Sequence, residues 1–466
     1  MSFLLLFPLL TALILTLYST YLFVTRISLS PLRHIPGPKL AIFSFWYEFY
    51  YDVVLHGRYT WKIAELHDKY GPIVRINPYE VHVNDPDFYD ELYVSGARRK
   101  SEQWSWTVPM FGTPNSILAT IDHDVHRRRR NAYANFFSKQ SIRRYSSVVQ
   151  SCVDKLCARF AEHEVQGKKI NLSHAWSAFT GNVVTEYTNF PLWFVEKYLP
   201  DMAVTYRWHK TWEQQIRQIK TGKDDVEKPR DRPSIFETLL DSDLPAYDKS
   251  VSRLVEDAQT IVGAGSITTA DTLSLTTYYV LEDKQVLKEL VEELDRAIPN
   301  LDEPLELVEL EKLPCLSAVI LEGLRISYGV SHRLQRVCPD QTINYHDYEI
   351  PPGTPISMTS VLIHDNPAIF PEPRVFKPKR WMPLEKEGAR LQKYLVAFCR
   401  GSRQCLGMHL GMAELYLGLA GIFRRFGHRM RIVDTVKERD VELIHDVFTP
   451  TAKPESKGIS MVIDVN

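Results

Sequence analysis

The chain has 466 residues, of which 44% are hydrophobic and 24% charged, with a formal net charge of −1. That is an ordinary globular balance with ample material for a core, and it gives no whole-chain argument for a nucleic-acid partner. Six cysteines (Cys152, Cys157, Cys315, Cys338, Cys399 and Cys405) lack a disulfide-framework spacing in a chain this long, so free thiols in a reducing compartment are expected.

Phe3 to Val24 carries no charge and is long enough to cross a bilayer. A cleaved signal peptide would have a shorter apolar core, a basic start and a small-residue cleavage site. The basic residues Arg26, Arg33 and Lys39 instead follow the span, which by the positive-inside rule keeps the rest of the chain cytosolic. Residues 1–30 are therefore expected to be a membrane anchor and 31–466 a single domain, since no linker, repeat or low-complexity tract divides the remainder. Ile35-Pro36-Gly37-Pro38 forms a stiff elbow after the anchor. Trp61 to Lys69 reads as a helix, and Ile73 to Ile76 and Glu80 to Val83 read as short strands around an Asn77-Pro78 turn. From Val125 the chain is largely helical, with Val286, Leu287, Leu290, Val291 and Leu294 on one helix face. Late strands are expected at Glu349-Ile350, Ile356 to Thr359 and Ile459 to Ile463. The fold class is mainly α with a minor β-sheet region.

Several segments carry chemistry. His126-Arg127-Arg128-Arg129-Arg130 reads as a solvated basic face, yet on a helix His126 and Arg130 lie one turn apart and can hold one anion between them. Ile261 to Thr269 places Gly263 and Gly265 inside a helical stretch, at roughly 1 kcal/mol each relative to Ala, which fits either close approach to the backbone by something else or a helix-packing notch. Thr268 there can bond back to a carbonyl one turn earlier and loosen the helix. Glu322 and Arg325 project from one helix face. Exposed, the pair contributes a few tenths of a kcal/mol; buried among Val319, Ile320, Leu321 and Leu324 it needs more partners, and Arg380 in a Pro-stiffened segment offers one. Arg336 is a further candidate cation.

Near the C-terminus stands Phe398-Cys399-Arg400-Gly401-Ser402-Arg403-Gln404-Cys405-Leu406-Gly407, followed by a helical run from Met408 to Phe423. Cys405 precedes a helix N-terminus, where unpaired N–H groups and the helix dipole favour an anionic sulfur. Gly401 and Gly407 let the backbone turn and approach something flat, and Arg403 brings a cation for a carboxylate. Three readings fit this loop: a thiolate on the metal of a planar cofactor such as haem, a buried structural cysteine, or a zinc site with Cys399 and His409 that lacks an obvious fourth ligand.

Together these segments resemble the cytochrome P450 haem-thiolate monooxygenases. The order is the family's: anchor, Pro-rich elbow, basic helix, Gly-Thr helix, Glu-x-x-Arg, the Phe-x-Pro-x-Arg-Trp segment ending at Trp381, then Phe-x-x-Gly-x-Arg-x-Cys-x-Gly. Tyr328 to Arg333 and His445 to Pro450 look like filamentous-fungal enzymes of secondary metabolism, especially the trichodiene-oxygenase-like group. The resemblance implies haem b with Cys405 as the proximal thiolate and Phe398 shielding the sulfur. It implies that Arg403, Arg130, His126 and Arg336 neutralise the propionates, with Gly401 and Gly407 shaping the loop. Glu322, Arg325 and Arg380 would lock the fold behind the haem. Ala264 and Gly265 would leave room for O₂, and Thr268 and Thr269 would guide protons. Phe111, Val330 and Phe448 would wall in an apolar substrate such as a terpenoid. Electrons would come from NADPH through a cytochrome P450 reductase docking near Arg424, Arg425 and Arg429, on a monomer anchored in the endoplasmic reticulum and facing the cytosol. Two departures stand out: Ile267 occupies the position before Thr268 where the family usually has Asp or Glu, and roughly forty residues are missing between Tyr187 and Pro191. Rearrangement or peroxide chemistry, or a haem-binding but impaired protein, are the alternatives these departures raise.

Overall fold

The computed structural model describes residues 2–96, 98–188, 202–221, 234–301 and 303–465. An anchor helix, Ser2–Phe23, runs into a π-turn at Val24–Ser28. Leu10–Ser28 is long and apolar enough to cross a membrane and none of its apolar window is buried, so it is a candidate membrane anchor. Near its C-terminal end, Arg26 donates to the carbonyl of Phe43 at 2.7 Å. The elbow then lies on the first strand: Arg75 N–H donates to Pro36 O at 2.7 Å, and a Cβ on Gly37 would collide with the Arg75 carbonyl.

The rest is mainly helical with small sheets, as the sequence pattern predicts. A four-stranded sheet orders Ile73–Arg75, Val81–Val83, Pro355–Ser357 and Arg336–Val337. The turn between its first two strands forms because the Asn77 side chain accepts from the N–H groups of Tyr79 and Glu80, a local alternative to the ladder. Ser460–Ile463 pairs antiparallel with Met430–Val433 and Ile170–Asn171, and Tyr348–Ile350 pairs with Ile343–Tyr345. The strands at 349–350, 356–359 and 459–463 are thus present, displaced by a residue or two at their ends, which is where strand pairing frays.

One helix organises the core. Val251–Glu282, 32 residues long, is flanked by Leu172–Thr188, Pro314–Ile326 and Met408–Phe426, and its residues from Ala270 to Val280 are almost all buried. Gly418 of the last helix meets Trp176, Phe179 and Leu273, so its missing side chain lets three helices close on one point. Helix Lys284–Ala297 buries Val286, Leu290, Val291 and Leu294 on one face, and Leu287 packs at its margin. The gap between Tyr187 and Pro191 falls largely outside the described residues.

Candidate active site

Two elements that are otherwise buried become accessible beside each other. Helix Val251–Glu282 and helix Met408–Phe426 touch where Gly411 stands: a Cβ there would sit 3.4 Å from Thr269 Oγ1 and 3.8 Å from the Phe398 ring. From that contact they part, leaving Cys405 exposed on one side and Ala264 and Ile267 exposed on the other, Ile267 by 53%. The Cys405 thiol is nonetheless enclosed by protein at longer range, and burial pushes its pKa up, opposed by the Gly407 N–H and by Arg130. Accessible yet desolvated is the condition of a group facing an internal cleft.

The loop carrying Cys405 is held from both ends. Cys405 N–H donates to Phe398 O at 2.9 Å, and Ser402 N–H donates to Val94 O at 3.0 Å. Gly401 sits at φ 74°, and a Cβ on it would strike the carbonyls of Tyr93 and Val94, so only glycine closes this turn. The helix that follows starts at Met408 and runs to Phe426, three residues past the sequence expectation. Cys399 faces elsewhere: it is buried, with its Sγ 3.8 Å from Arg336 Nη2. No three His, Cys, Asp or Glu side chains among the described residues are arranged to hold a metal ion, which removes the zinc reading of Cys399, Cys405 and His409.

Behind the loop, the Glu322–Arg325 pair is fully buried, and its partners account for that. The Glu322 carboxylate accepts from Arg325 Nε (2.9 Å) and Nη2 (2.8 Å), Arg380 Nε (3.0 Å), Lys377 N–H (2.8 Å) and Trp381 Nε1 (2.9 Å). Arg325 also donates to the carbonyls of His364 and Pro373, and Arg380 to that of Pro371. With every lone pair and donor engaged, the pair can be taken out of water. The sequence reading misses His364. Its Nδ1 bonds Arg325 O at 2.9 Å and its Nε2 accepts from Val396 N–H at 3.0 Å, so the clamp reaches the cysteine loop through one neutral imidazole. Burial and Arg325 lower its pKa to about 3, which fits that tautomer.

Helix periodicity splits the basic run. Arg128 and Arg129 both reach Asp248, at 3.1 and 2.8 Å, Arg127 faces solvent, and His126 and Arg130 turn inward toward Cys405. The inward pair meets Arg336 and Arg403, and burial together with these three guanidiniums drives the His126 pKa down to about 2. Arg403 donates to the Thr120 and Ile121 carbonyls at 2.8 and 2.7 Å, and burial lowers it to about 9. Among the described residues, Arg130, Arg336 and Arg403 have no carboxylate within ion-pair distance; Glu102 and Asp122 act on Arg403 only from farther away. Several cations converging without an anion, beside an accessible cysteine, suit a planar group that carries two carboxylates and a metal: haem fits the residues present.

On the opposite wall Thr268 Oγ1 donates to Ala264 O at 2.9 Å, the back-bond its type predicts. Thr180, from the neighbouring helix, donates to Ser266 O at 2.7 Å, and Gly265 admits Val184 against the backbone. Thr269 is not on this wall. It is buried, one hundred degrees round the helix from Thr268, and its hydroxyl bonds Glu414, a fully buried acid whose pKa burial raises far above the carboxylate range. Phe111 and Phe448 do meet, edge to face with centroids 5.4 Å apart. Asp446, also missed, fixes Phe448: it accepts from Thr60 Oγ1 (2.7 Å), Ser331 Oγ (3.0 Å), His332 Nδ1 (3.3 Å) and Phe448 N–H (2.9 Å). Val330 is half-buried one residue before Ser331. Arg424 and Arg425 are tied to the Leu301 carbonyl and Arg429 to Glu164, so these three are structural ties rather than free docking cations.

The cytochrome P450 family model matches residues 36–190 and 187–455, two stretches that meet where the sequence falls short. Similar proteins include N-acetyltryptophan 6-hydroxylase of Emericella nidulans, 39% identical over 488 residues, covering 95% of this chain and 94% of that protein. A cytochrome P450 monooxygenase of Cochliobolus heterostrophus is 38% identical over 504 residues, covering 96% and 95%. Tryptophan 6-hydroxylase of Fusarium equiseti is 35% identical over 482 residues, covering 94% of each. These alignments run longer than the 466 residues present here, so the relatives carry residues this chain lacks.

Proposed function

This chain belongs to the cytochrome P450 family, and from that premise we propose that it is a membrane-anchored monooxygenase that hydroxylates or epoxidises an apolar or aromatic small molecule of a fungal secondary-metabolite pathway. Family members bind haem through a cysteine thiolate and use O₂, an organic substrate and a redox partner. The observation that carries the residue-level reading is the convergence of Arg130, His126, Arg336 and Arg403, without anions, beside the accessible Cys405. Haem bound there supplies the activation of O₂.

The chain's own residues do the rest. Cys405 would hold the haem iron through its sulfur, and the Gly407 N–H bond to that sulfur would moderate its charge. Arg130, Arg336 and Arg403 would neutralise the propionates, neutral His126 beside them could donate a hydrogen bond, and Phe398 would cover the loop. The Glu322–Arg325–Arg380 clamp holds the loop's shape through His364 and Val396. Thr268, with its own proton engaged by the Ala264 carbonyl, offers its lone pairs to a proton donor in the cleft. Phe111 and Phe448 present aromatic faces to the substrate. A terpenoid suits these walls, and so does an indole such as those named for the tryptophan hydroxylases. The electron donor would be NADPH–cytochrome P450 reductase, and the protein a monomer at the endoplasmic reticulum with residues 31–466 as one cytosolic domain; the uncharged span ahead of Arg26 and Arg33 supports that orientation.

The test is spectroscopic first. The reduced protein with carbon monoxide shows the red-shifted band of thiolate ligation, and Cys405→Ala loses it; a band typical of histidine ligation, or no haem, overturns the assignment. Tryptophan, N-acetyltryptophan and a set of sesquiterpenes are then titrated for spin-state shifts, and product is required to depend on NADPH, reductase and O₂. Ile267, apolar and open to the cleft, favours one second reading, rearrangement or peroxide chemistry. Turnover that persists without O₂ or reductase would establish that reading instead.

A further inference from the structure

Position 267 supplies no acid, yet a carboxyl group lies one turn further along the same wall. On helix Val251–Glu282 Ala264 and Ile267 are exposed, Thr268 is half-buried beside them, and Asp271 is half-buried within the largely buried run from Thr269 to Val280. At one hundred degrees per residue these four fall within about a third of the circumference, so Asp271 lies on the helix face that carries Ala264, Ile267 and Thr268. It stands four residues after Ile267 and three after Thr268, the two spacings at which helical side chains are neighbours. We propose that Asp271 takes the place of the missing acid at position 267, acting through Thr268 as the source of protons for the distal side of the cleft. This rests on the monooxygenase reading above.

Three observations support it. First, Asp271 has no hydrogen bond or ion pair among the described residues, although the surrounding helix is buried. A structural carboxylate in such a place would be paired. Second, its side chain is half-buried rather than sealed, so water in the cleft can reach it. Third, burial alone raises its pKa to about 6, so near neutral pH a useful fraction carries a proton to give. The charges on the elements packed around this helix are occupied elsewhere. Glu186 pairs with Lys155, Glu213 with Arg217 and Glu322 with its two arginines. Glu438 and Glu442 act on Tyr278, two turns away. Glu414 bonds Thr269 on another face and is fully enclosed. In the transfer, the Asp271 carboxyl O–H bond breaks as a cleft water accepts the proton and passes one of its own onward, or as the Thr268 oxygen accepts it while the Thr268 O–H leaves the Ala264 carbonyl and gives up its proton, and the carboxylate is reprotonated from solvent. No electrons move in this step.

Asp271→Asn and Asp271→Glu are compared with the wild-type holoenzyme and with Glu414→Gln. Difference infrared spectra between pH 5 and pH 7 need no substrate and are recorded with Asp52→Asn in every protein compared, because burial raises the Asp52 carboxyl to about 6 as well: a protonated-carboxyl band that titrates near pH 6 is expected in the Asp52→Asn protein and with Glu414→Gln added, and is absent once Asp271→Asn is added. With reductase, NADPH and the panel compound giving the largest spin-state shift as probe, Asp271→Asn should divert electrons to hydrogen peroxide and lower product per NADPH by about tenfold or more, toward the range usual for loss of a general acid. Its decline in turnover above pH 6 should vanish. Asp271→Glu should recover most of the coupling, and Ile267→Asp should restore it in the Asp271→Asn background. A titrating band that survives in Asp271→Asn, or unchanged coupling and pH profile in that variant, overturns the proposal. So does a band and coupling lost only in Glu414→Gln. The carbon monoxide spectrum of each variant separates this outcome from failure of the haem-thiolate reading itself.

Discussion

Replacing Glu322 by Gln tests whether the buried clamp or the cysteine loop itself keeps the thiolate in place. The carboxylate accepts five hydrogen bonds, three of them from the guanidiniums of Arg325 and Arg380. A glutamine amide keeps one oxygen, and its NH₂ must face donors where an acceptor stood. Arg325 is fully buried, and its remaining bonds go to backbone carbonyls, which carry no compensating charge. Removing one member of a buried ion pair costs about 3–5 kcal/mol, against a total stability of about 5–15 kcal/mol. The damage would pass along Arg325 O–His364–Val396 N–H to the segment that orients Cys405, so two readouts should fall together. The denaturant midpoint should drop by an amount matching about 3 kcal/mol or more, and the carbon monoxide band of the surviving protein should shift from thiolate-ligated toward the form typical of a lost thiolate. Glu322→Asp keeps the charge but withdraws it by one methylene, and should fall between. If Glu322→Gln unfolds within about 1 kcal/mol of the wild type, or loses stability while keeping an intact thiolate band, the coupling from clamp to loop is refuted.

Acid should destabilise the fold through His364: its folded pKa lies near 3 against about 6.5 when unfolded, so its contribution is complete above pH 6.5 and is lost as pH falls toward 3, on the order of 4 kcal/mol in all. Urea midpoints at a series of pH values should show that loss, and His364→Gln should flatten it; an equal slope in both proteins would exclude His364 as its source. Gly401→Ala places a side chain at φ 74° and against two carbonyls, so it should cost about 2 kcal/mol or more and lower haem retention after gel filtration. Arg130→Ala removes one unpaired cation near Cys405 without opening a packed core, so it should weaken haem binding severalfold, measured by transfer to apomyoglobin, while secondary structure is unchanged. Asp446→Ala frees the Phe448 turn and should broaden the range of compounds that give a spin-state shift; identical titration profiles would show that Phe448 needs no such support.

What the sequence made legible follows from how local each signal is. The apolar N-terminal helix, the elbow and the helix face at Val286–Leu294 depend on near neighbours, and each is found where the spacing puts it; the same local register set Cys405 apart from Cys399, and the fold leaves the first exposed and the second buried. The Glu322–Arg325 pair could be named from helical spacing, but whether it was surface or core could not, because that depends on Trp381, Lys377 N–H and Arg380 more than fifty residues on. His364 and Asp446 gave no signal at all: each is a single polar residue whose partners come from distant segments, and only the fold brings them together. The basic run was legible in part, because helical spacing already set His126 and Arg130 together. Its residues look alike, yet one helical turn assigns Arg128 and Arg129 to Asp248 and gives His126 and Arg130 to the cleft. Thr268 and Thr269 were paired for the same reason, adjacency in the chain, and the helix separates them onto different faces, one toward the cleft and one toward Glu414. The same periodicity works in the other direction for Asp271. It stands four residues after Ile267, the distance at which a helix brings two side chains onto one wall.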